Sequence, residues 1–287
     1  MEIKRIVPSG YCKGVVNAIN VAKKTKEKYQ DKNVYILGMI VHNSYVTKSL
    51  QDLGIITLDD SNKTKEELLD EIDDGVVIFT AHGTADYIKK KAQDKGLICV
   101  DAACVDVNKN KETIINYLNK GFEVLYFGKK NHPEALAILS INKEKIHLIT
   151  SKEDIDKLDI KGNIVITNQT TMSYLELEDL FKYALNKYPN IIIEKEICNA
   201  TSARQSAVSS ISDGDLLYVV GDIKSNNTNK LAQIGKKNFK KVLLINNKDD
   251  INDNDLINVN KVYVTAGAST PPILVDEVIK YLGSKAL

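Results

Sequence analysis

The sequence has no tryptophan, five prolines and four cysteines in 287 residues. Four cysteines are too few to staple a fold of this length, and a chain this long builds a core without staples. They are read instead as ligands, catalysts or core side chains in a reducing compartment. Net charge is also lacking: 39 Lys and Arg against 38 Asp and Glu leave +1. No global field therefore draws the chain to nucleic acid or a membrane surface, and any anion site must be local. No apolar run reaches the length that spans a bilayer. The opening Met1-Glu2-Ile3-Lys4-Arg5 is not followed by the apolar core of a signal peptide. The expectation is a cytoplasmic protein. Three motifs are absent as well: the G-x-x-x-x-G-K-[ST] phosphate loop, the G-x-G-x-x-G turn and the G-x-S-x-G elbow. Their absence counts against ATPases, dinucleotide enzymes and α/β-hydrolases.

What is present is a long series of short apolar runs, each followed by a turn and a helical pattern. Residues 34–37, 55–58, 76–80, 97–100, 123–127, 146–149, 163–167, 216–220, 242–245 and 262–265 read as strands. Strands alternating with helices imply an α/β fold with mainly parallel sheets. The series is laid down three times. Cys12, Cys104 and Cys198 each fall where a strand gives way to a helix, and lie 92 and 94 residues apart. A first polar loop follows them after 30, 28 and 27 residues, at His42, His132 and Ser225. A second follows after 70, 66 and 71 residues, at His82, Thr170 and Ser269. A repeat of this kind implies three similar small α/β domains, expected at 13–97, 98–194 and 195–287 plus 1–12. Open α/β sheets bind ligands at the carboxyl ends of their strands. Three such edges around a pseudo-threefold axis would gather three cysteines and six polar loops.

Three thiolates leave one coordination position of a metal centre open to substrate. A [4Fe–4S] cluster anchored at three of its irons fits this set, and so does zinc held by three cysteines with a histidine or water. Cys99 lies inside the run 97–100, outside the repeat, and is read as a core thiol. His42, His82 and His132 occupy loops that open helices, where backbone N–H groups and the helix dipole favour anions. With Ser225, Asn226, Asn227 and Ser269 they point to a diphosphate site, which suits histidine because its charge adjusts near neutral pH. Glu134 is the one carboxylate in these loops, fixed behind Pro133, and is the candidate proton donor. An exposed glutamate at a helix start is the plain alternative. Thr170 and Thr171 could orient that proton or a substrate hydroxyl, or simply cap the next helix. His147, in a strand-like run, is read as structural.

The residues that carry this chemistry resemble the 4-hydroxy-3-methylbut-2-enyl diphosphate reductase (IspH/LytB) family along nearly the whole chain. The resemblance rests on Gly10-Tyr11-Cys12-Lys13-Gly14-Val15, Val41-His42-Asn43, Ala81-His82-Gly83 and Asp101-Ala102-Ala103-Cys104. It continues through His132-Pro133-Glu134, Gln169-Thr170-Thr171-Met172-Ser173, Ile197-Cys198-Asn199-Ala200-Thr201 with Arg204-Gln205, and Gly267-Ala268-Ser269. It implies a trefoil of three domains around a central [4Fe–4S] cluster held by Cys12, Cys104 and Cys198. It also implies reductive removal of an allylic hydroxyl, giving isopentenyl and dimethylallyl diphosphates. In that pattern His42, His82, His132, Ser225, Asn227 and Ser269 match the residues that hold the diphosphate. Glu134 matches the proton carrier, with Thr170 near the substrate hydroxyl. Electrons are expected singly from a ferredoxin or flavodoxin, to a monomer needing neither nucleic acid nor membrane. The family usually reads D-A-T-C-P around the second cysteine, where Ala103 and Val105 stand. The glycines usual after H-P-E are missing, and Lys224 and Asn226 replace the usual Asn and Ser beside Ser225. These departures leave room for a divergent paralogue with another allylic or diphosphate substrate, or a non-catalytic iron–sulfur sensor. Retention of Glu134 and Thr170 favours an enzyme.

Overall fold

The computed structural model describes residues 1–285. In chain order the first segment runs β1 (Glu2–Arg5), α1 (Lys13–Lys28), β2 (Val34–Leu37), α2 (Ser44–Gln51), β3 (Ile55–Leu58), α3 (Lys65–Asp70), β4 (Val76–Phe79), α4 (Asp86–Asp94) and β5 (Ile98–Asp101). The next runs α5 (Val105–Asn119), β6 (Glu123–Phe127), α6 (Pro133–Leu139), β7 (Ile146–Ile149), α7 (Lys152–Asp156), β8 (Ile164–Asn168), α8 (Tyr174–Lys187) and β9 (Ile192–Ile193). The last runs α9 (Asn199–Ser209), β10 (Gly214–Val220), α10 (Asn226–Gly235), β11 (Phe239–Ile245), β12 (Lys261–Ala266) and α11 (Pro272–Lys285).

These strands form three four-stranded sheets, ordered β3-β2-β4-β5, β7-β6-β8-β9 and β1-β12-β10-β11. Every pairing is parallel. Parallel sheets are covered on both faces, which demands unbroken apolar strands rather than alternation. The central strands meet that demand: Val76 to Phe79 are all buried, as are Val124 to Phe127 and Leu216 to Val220. The architecture is thus the parallel α/β fold that strand–helix alternation implies.

By contacts the chain divides into two compact units. One comprises residues 1–16, 42–46 and 199 onward, and holds the sheet of β1, β12, β10 and β11. The other comprises residues 17–41 and 47–198, and holds the other two sheets. Three elements differ from the sequence reading. β5 pairs with β4 from Val76↔Ile98 to Phe79↔Asp101, so the strand before Cys104 closes the first sheet rather than opening the second. A helix-length crossover between parallel neighbours is the ordinary connection, and α4 supplies it. A boundary at 97/98 therefore cuts a strand from its own sheet. The acidic and lysine-rich stretch 59–74, whose composition reads as one solvated helix, holds only the six-residue α3, started by a capping box between Thr64 and Glu67. Finally, Glu134 lies within α6 rather than in a loop.

Gly214 shows how tightly one sheet is matched across strands. It sits opposite Phe239, and a Cβ there would fall within the Phe239 ring and 3.1 Å from Tyr263. The two rings stack edge to face at 5.4 Å. Strand propensity alone favours alanine over glycine. Gly214→Ala is nonetheless expected to lower stability by about 1–3 kcal/mol through overpacking, measured by urea denaturation. A neutral or stabilising effect would show that the Phe239 ring is not held in place.

Candidate active site

In the first unit Cys12 stands at the end of a loop that is fixed from behind. Gly10 N–H donates to the Ala266 carbonyl at 3.4 Å and Cys12 N–H to that of Ala268 at 3.1 Å. Val15 N–H, in the first turn of α1, donates to Cys12 Sγ at 3.4 Å. Buried Arg204 on α9 donates through Nη2 to the carbonyls of Gly10 (2.5 Å) and Tyr11 (3.3 Å), and through Nη1 to Ala200 (2.7 Å). Arg204 stands among the residues that carry the family resemblance, but its role as a brace for the cysteine loop depends on a contact across 194 residues.

The same unit holds His42, Ser225, Asn226, Asn227 and Ser269. Ser269 Oγ donates to the His42 carbonyl at 2.9 Å and lies 3.5 Å from Ser225 Oγ. Ser225 caps α10 by accepting the Thr228 N–H at 3.3 Å, which presents Asn226 and Asn227 in the first turn. Asp222 ties two of the loops together, accepting N–H bonds from Ser44 at 3.0 Å and Lys224 at 2.8 Å. Gly221 and Gly267 let backbone close on Thr228: a Cβ on either would lie 2.7 or 2.1 Å from its hydroxyl. Asn227 is only 4% exposed, yet neither its amide nitrogen nor its amide oxygen has a hydrogen-bond partner among the described residues. A buried amide left unpaired is costly. A polar ligand such as a diphosphate would satisfy the donor.

The second unit holds the other candidates. Cys104 precedes α5, and its N–H donates to the Ala81 carbonyl at 2.9 Å, joining it to the His82 loop. Cys198 N–H donates to the Thr170 carbonyl at 3.2 Å. The His82 and His132 rings meet edge to face with centroids 5.3 Å apart. His132 caps α6, its Nδ1 accepting the Glu134 N–H at 3.2 Å. That bond assigns the neutral ring a proton on Nε2. Thr171 Oγ1 accepts from Gln169 Nε2 at 2.7 Å, while Gln169 Oε1 accepts from Lys129 N–H at 3.0 Å.

Glu134 is fully buried, not exposed at a helix start. Thr170 grips both its oxygens: the backbone N–H donates to Oε1 and the hydroxyl to Oε2, each at 2.9 Å. Burial pushes the carboxyl up to about 7, against the downward pull of Thr170, Asn110 and Tyr126. Burial, and then the facing Glu134, hold the Tyr126 phenol well above its ordinary range. Asn110 is fixed by accepting from Thr167 Oγ1 at 3.0 Å and donating to the Asn168 carbonyl at 2.9 Å. Neither Asn110 nor Tyr126 was a sequence candidate. An asparagine on the inner face of a helix is the one signal that could have pointed to the first; a tyrosine in an apolar strand gives none.

Each repeat cysteine is half-buried, free of disulfide and at the start of a helix, a donor set suited to soft metal centres. Among the described residues no three His, Cys, Asp or Glu side chains converge as ligands of a single ion. Cys99 packs against the core of the first sheet, as expected of a core thiol. It is half-buried, with Sγ 3.6 Å from the Leu97 carbonyl, and burial raises the thiol. His147 pairs with Glu123 at 2.7 Å on neighbouring strands, a structural use. Val105 is 75% exposed at the first position of α5. Proline is tolerated there because that N–H is an orphan anyway, so replacing it leaves Cys104 in place.

The LytB protein family model matches residues 3–283. The chain is 43% identical over 286 residues to the 4-hydroxy-3-methylbut-2-enyl diphosphate reductase of Bacillus subtilis strain 168, covering 98% of this chain and 90% of that protein. The same figures describe the reductase of that name from Geobacillus thermodenitrificans. A solved structure of the E-1-hydroxy-2-methyl-but-2-enyl-4-diphosphate reductase from Plasmodium falciparum superposes with a TM-score of 0.90 at 30% identity, over 98% of this chain and 87% of that one. A second, described as (E)-4-hydroxy-3-methyl-but-2-enyl diphosphate reductase, the terminal enzyme of the non-mevalonate pathway, gives 0.71 at 26% identity, over 99% and 100%.

Burial of Glu134 has a thermodynamic signature. The folded protein holds this proton up to about pH 7, against 4.5 for a free glutamate. The native state thus binds more protons than the unfolded chain between those values, and stability falls as pH rises through them. The full effect is on the order of 3 kcal/mol. Glu134→Gln should abolish that part of the decline, read from urea unfolding at pH 5 and pH 7.5. An unchanged decline would mean that Glu134 ionises normally.

Proposed function

The chain belongs to the LytB protein family, and we propose that it is a reductase of 4-hydroxy-3-methylbut-2-enyl diphosphate, the substrate for which its relatives are named. One observation carries the chemical reading: a fully buried carboxyl, raised to near neutrality and gripped at both oxygens by Thr170. A sensor needs only the cysteines and has no use for this pair.

The reaction exchanges an allylic C–O bond for C–H. Two electrons and two protons enter, and the hydroxyl leaves as water, giving isopentenyl or dimethylallyl diphosphate. Glu134 is protonated over much of the neutral range and gives its proton toward the departing oxygen. The Thr170 hydroxyl orients that carboxyl and lies beside the substrate hydroxyl. The residues proposed to bind the diphosphate are His42, His82, His132, Thr171, Ser225, Asn226, Asn227 and Ser269. Cys12, Cys104 and Cys198 would hold a [4Fe–4S] cluster, which supplies electrons singly and a Lewis-acid iron for the hydroxyl. Cysteines on three separate irons need not converge as they would around one zinc ion.

The reading extends to three domains, expected at 13–97, 98–194 and 195–287 plus 1–12, with the first boundary moved to Asp101 so that β5 stays in its own sheet. A ferredoxin or flavodoxin supplies the electrons, to a monomer working in the cytoplasm. No described helix is long and apolar enough to cross a membrane.

Anaerobically reconstituted protein, assayed with this substrate and a reduced one-electron dye, is the test. It should be brown, carry about four irons and turn over. Cys12→Ser, Cys104→Ser and Cys198→Ser should each lose cluster or activity, and Cys99→Ser neither. Glu134→Gln should keep the cluster and substrate binding but lose roughly a hundredfold or more in kcat. A colourless zinc protein, or equal loss at Cys99, would overturn the ligand assignment.

A further inference from the structure

We propose that Lys65 is a positioning residue of the diphosphate site, whose ammonium braces the loop carrying His82 and adds positive charge behind it. This rests on the substrate reading above. Lys65 opens α3, where the helix dipole disfavours a cation and where Glu66 and Glu67 are the favoured charges. It is half-buried, and no carboxylate lies within ion-pair distance of it among the described residues. Instead Nζ donates to three neutral oxygens: Thr84 Oγ1 at 3.0 Å, and Thr80 Oγ1 and the Gly83 carbonyl at 3.4 Å. These flank His82 on both sides.

The geometry is built to bring the ammonium there. Gly38, at the end of β2, would place a Cβ 3.6 Å from Lys65 Cε, so the stem runs over a residue with no side chain. The held loop is a tight turn: Gly83 has φ +86° and donates N–H to the Thr80 carbonyl at 3.0 Å. Its Ala81 carbonyl also accepts the Cys104 N–H. One lysine therefore fixes the segment that presents a diphosphate ligand and touches a cysteine. The charged groups facing it are Lys89 on α4, Asp101 on β5 and Asp59 before α3. Lys89 and Asp101 are already paired to each other at 2.5 Å. Burial first, and then Lys89, lower the ammonium to about 8, with Asp101 and Asp59 pulling the other way. A cation half-withdrawn from water without a carboxylate is what a polyanionic ligand would favour.

The test is steady-state kinetics of the cluster-loaded enzyme between pH 6.5 and 9.5. Wild type, Lys65→Met, Lys65→Arg and His82→Asn are compared. Beyond the loss near pH 7 that Glu134 imposes on every variant, wild-type kcat/KM should show a further alkaline fall above about pH 8, as the ammonium loses its proton. Lys65→Met should raise KM about fivefold to tenfold with the effect on KM rather than kcat, and lose the alkaline fall. Lys65→Arg should keep KM near wild type and also lose that fall, because a guanidinium stays charged. If Lys65→Met fails to fold, the Lys65→Arg profile decides. A wild-type KM in Lys65→Met, or the same alkaline fall in Lys65→Arg, overturns the proposal. If wild type does not turn over this substrate, or His82→Asn leaves KM unchanged, the substrate reading itself is wrong.

Discussion

The interaction on which the chemistry depends is the grip of Thr170 on Glu134. A carboxylate withdrawn from water must be neutralised or hydrogen-bonded on both oxygens. Thr170 supplies two donors to it, one from the backbone and one from the side chain. The outcome is a balance: burial pushes the proton on, the donors pull it off, and the group rests near neutrality. A general acid is most useful where its pKa meets the working pH. The same Thr170 offers its carbonyl to the Cys198 N–H, so one residue holds both the Glu134 carboxyl and the backbone of Cys198.

That segment is placed by the parallel sheet beneath it. β6 and β8 lie side by side, so the chain leaving β6 toward His132 and Glu134 meets the chain leaving β8 toward Thr170. Parallel strands end together, which is why loops far apart in sequence share one edge. The first unit repeats the device with different residues. There β10 and β12 are neighbours, and the loops that follow them carry Ser225 and Ser269.

Much of this was legible in the chain. Parallel strands covered on both faces are largely apolar, so runs such as 123–127 and 146–149 stand out and match the observed strands to the residue. Polar loops at strand ends, spaced evenly from the three cysteines, supplied the candidate site residues. What could not be read depends on long-range contacts. Membership of β5 in the first sheet is decided by pairing with β4, and nothing local to Cys99 or Val100 says so. The hydrogen-bonding surroundings of Glu134 include Tyr126 and Asn110, which arrive from a strand and a helix upstream. Arg204 and Lys65 donate to backbone or hydroxyl oxygens of distant loops, and such partners leave no charge pattern to find.

The central claim is that Glu134 is a neutral acid over much of the neutral range. Difference infrared spectroscopy of the carboxyl stretch, titrated from pH 4 to pH 9 and assigned by Glu134→Gln, measures this directly. A protonated carbonyl band that belongs to Glu134 and disappears with a midpoint near pH 7 is the predicted result. A midpoint at the ordinary value of 4.5 would contradict it.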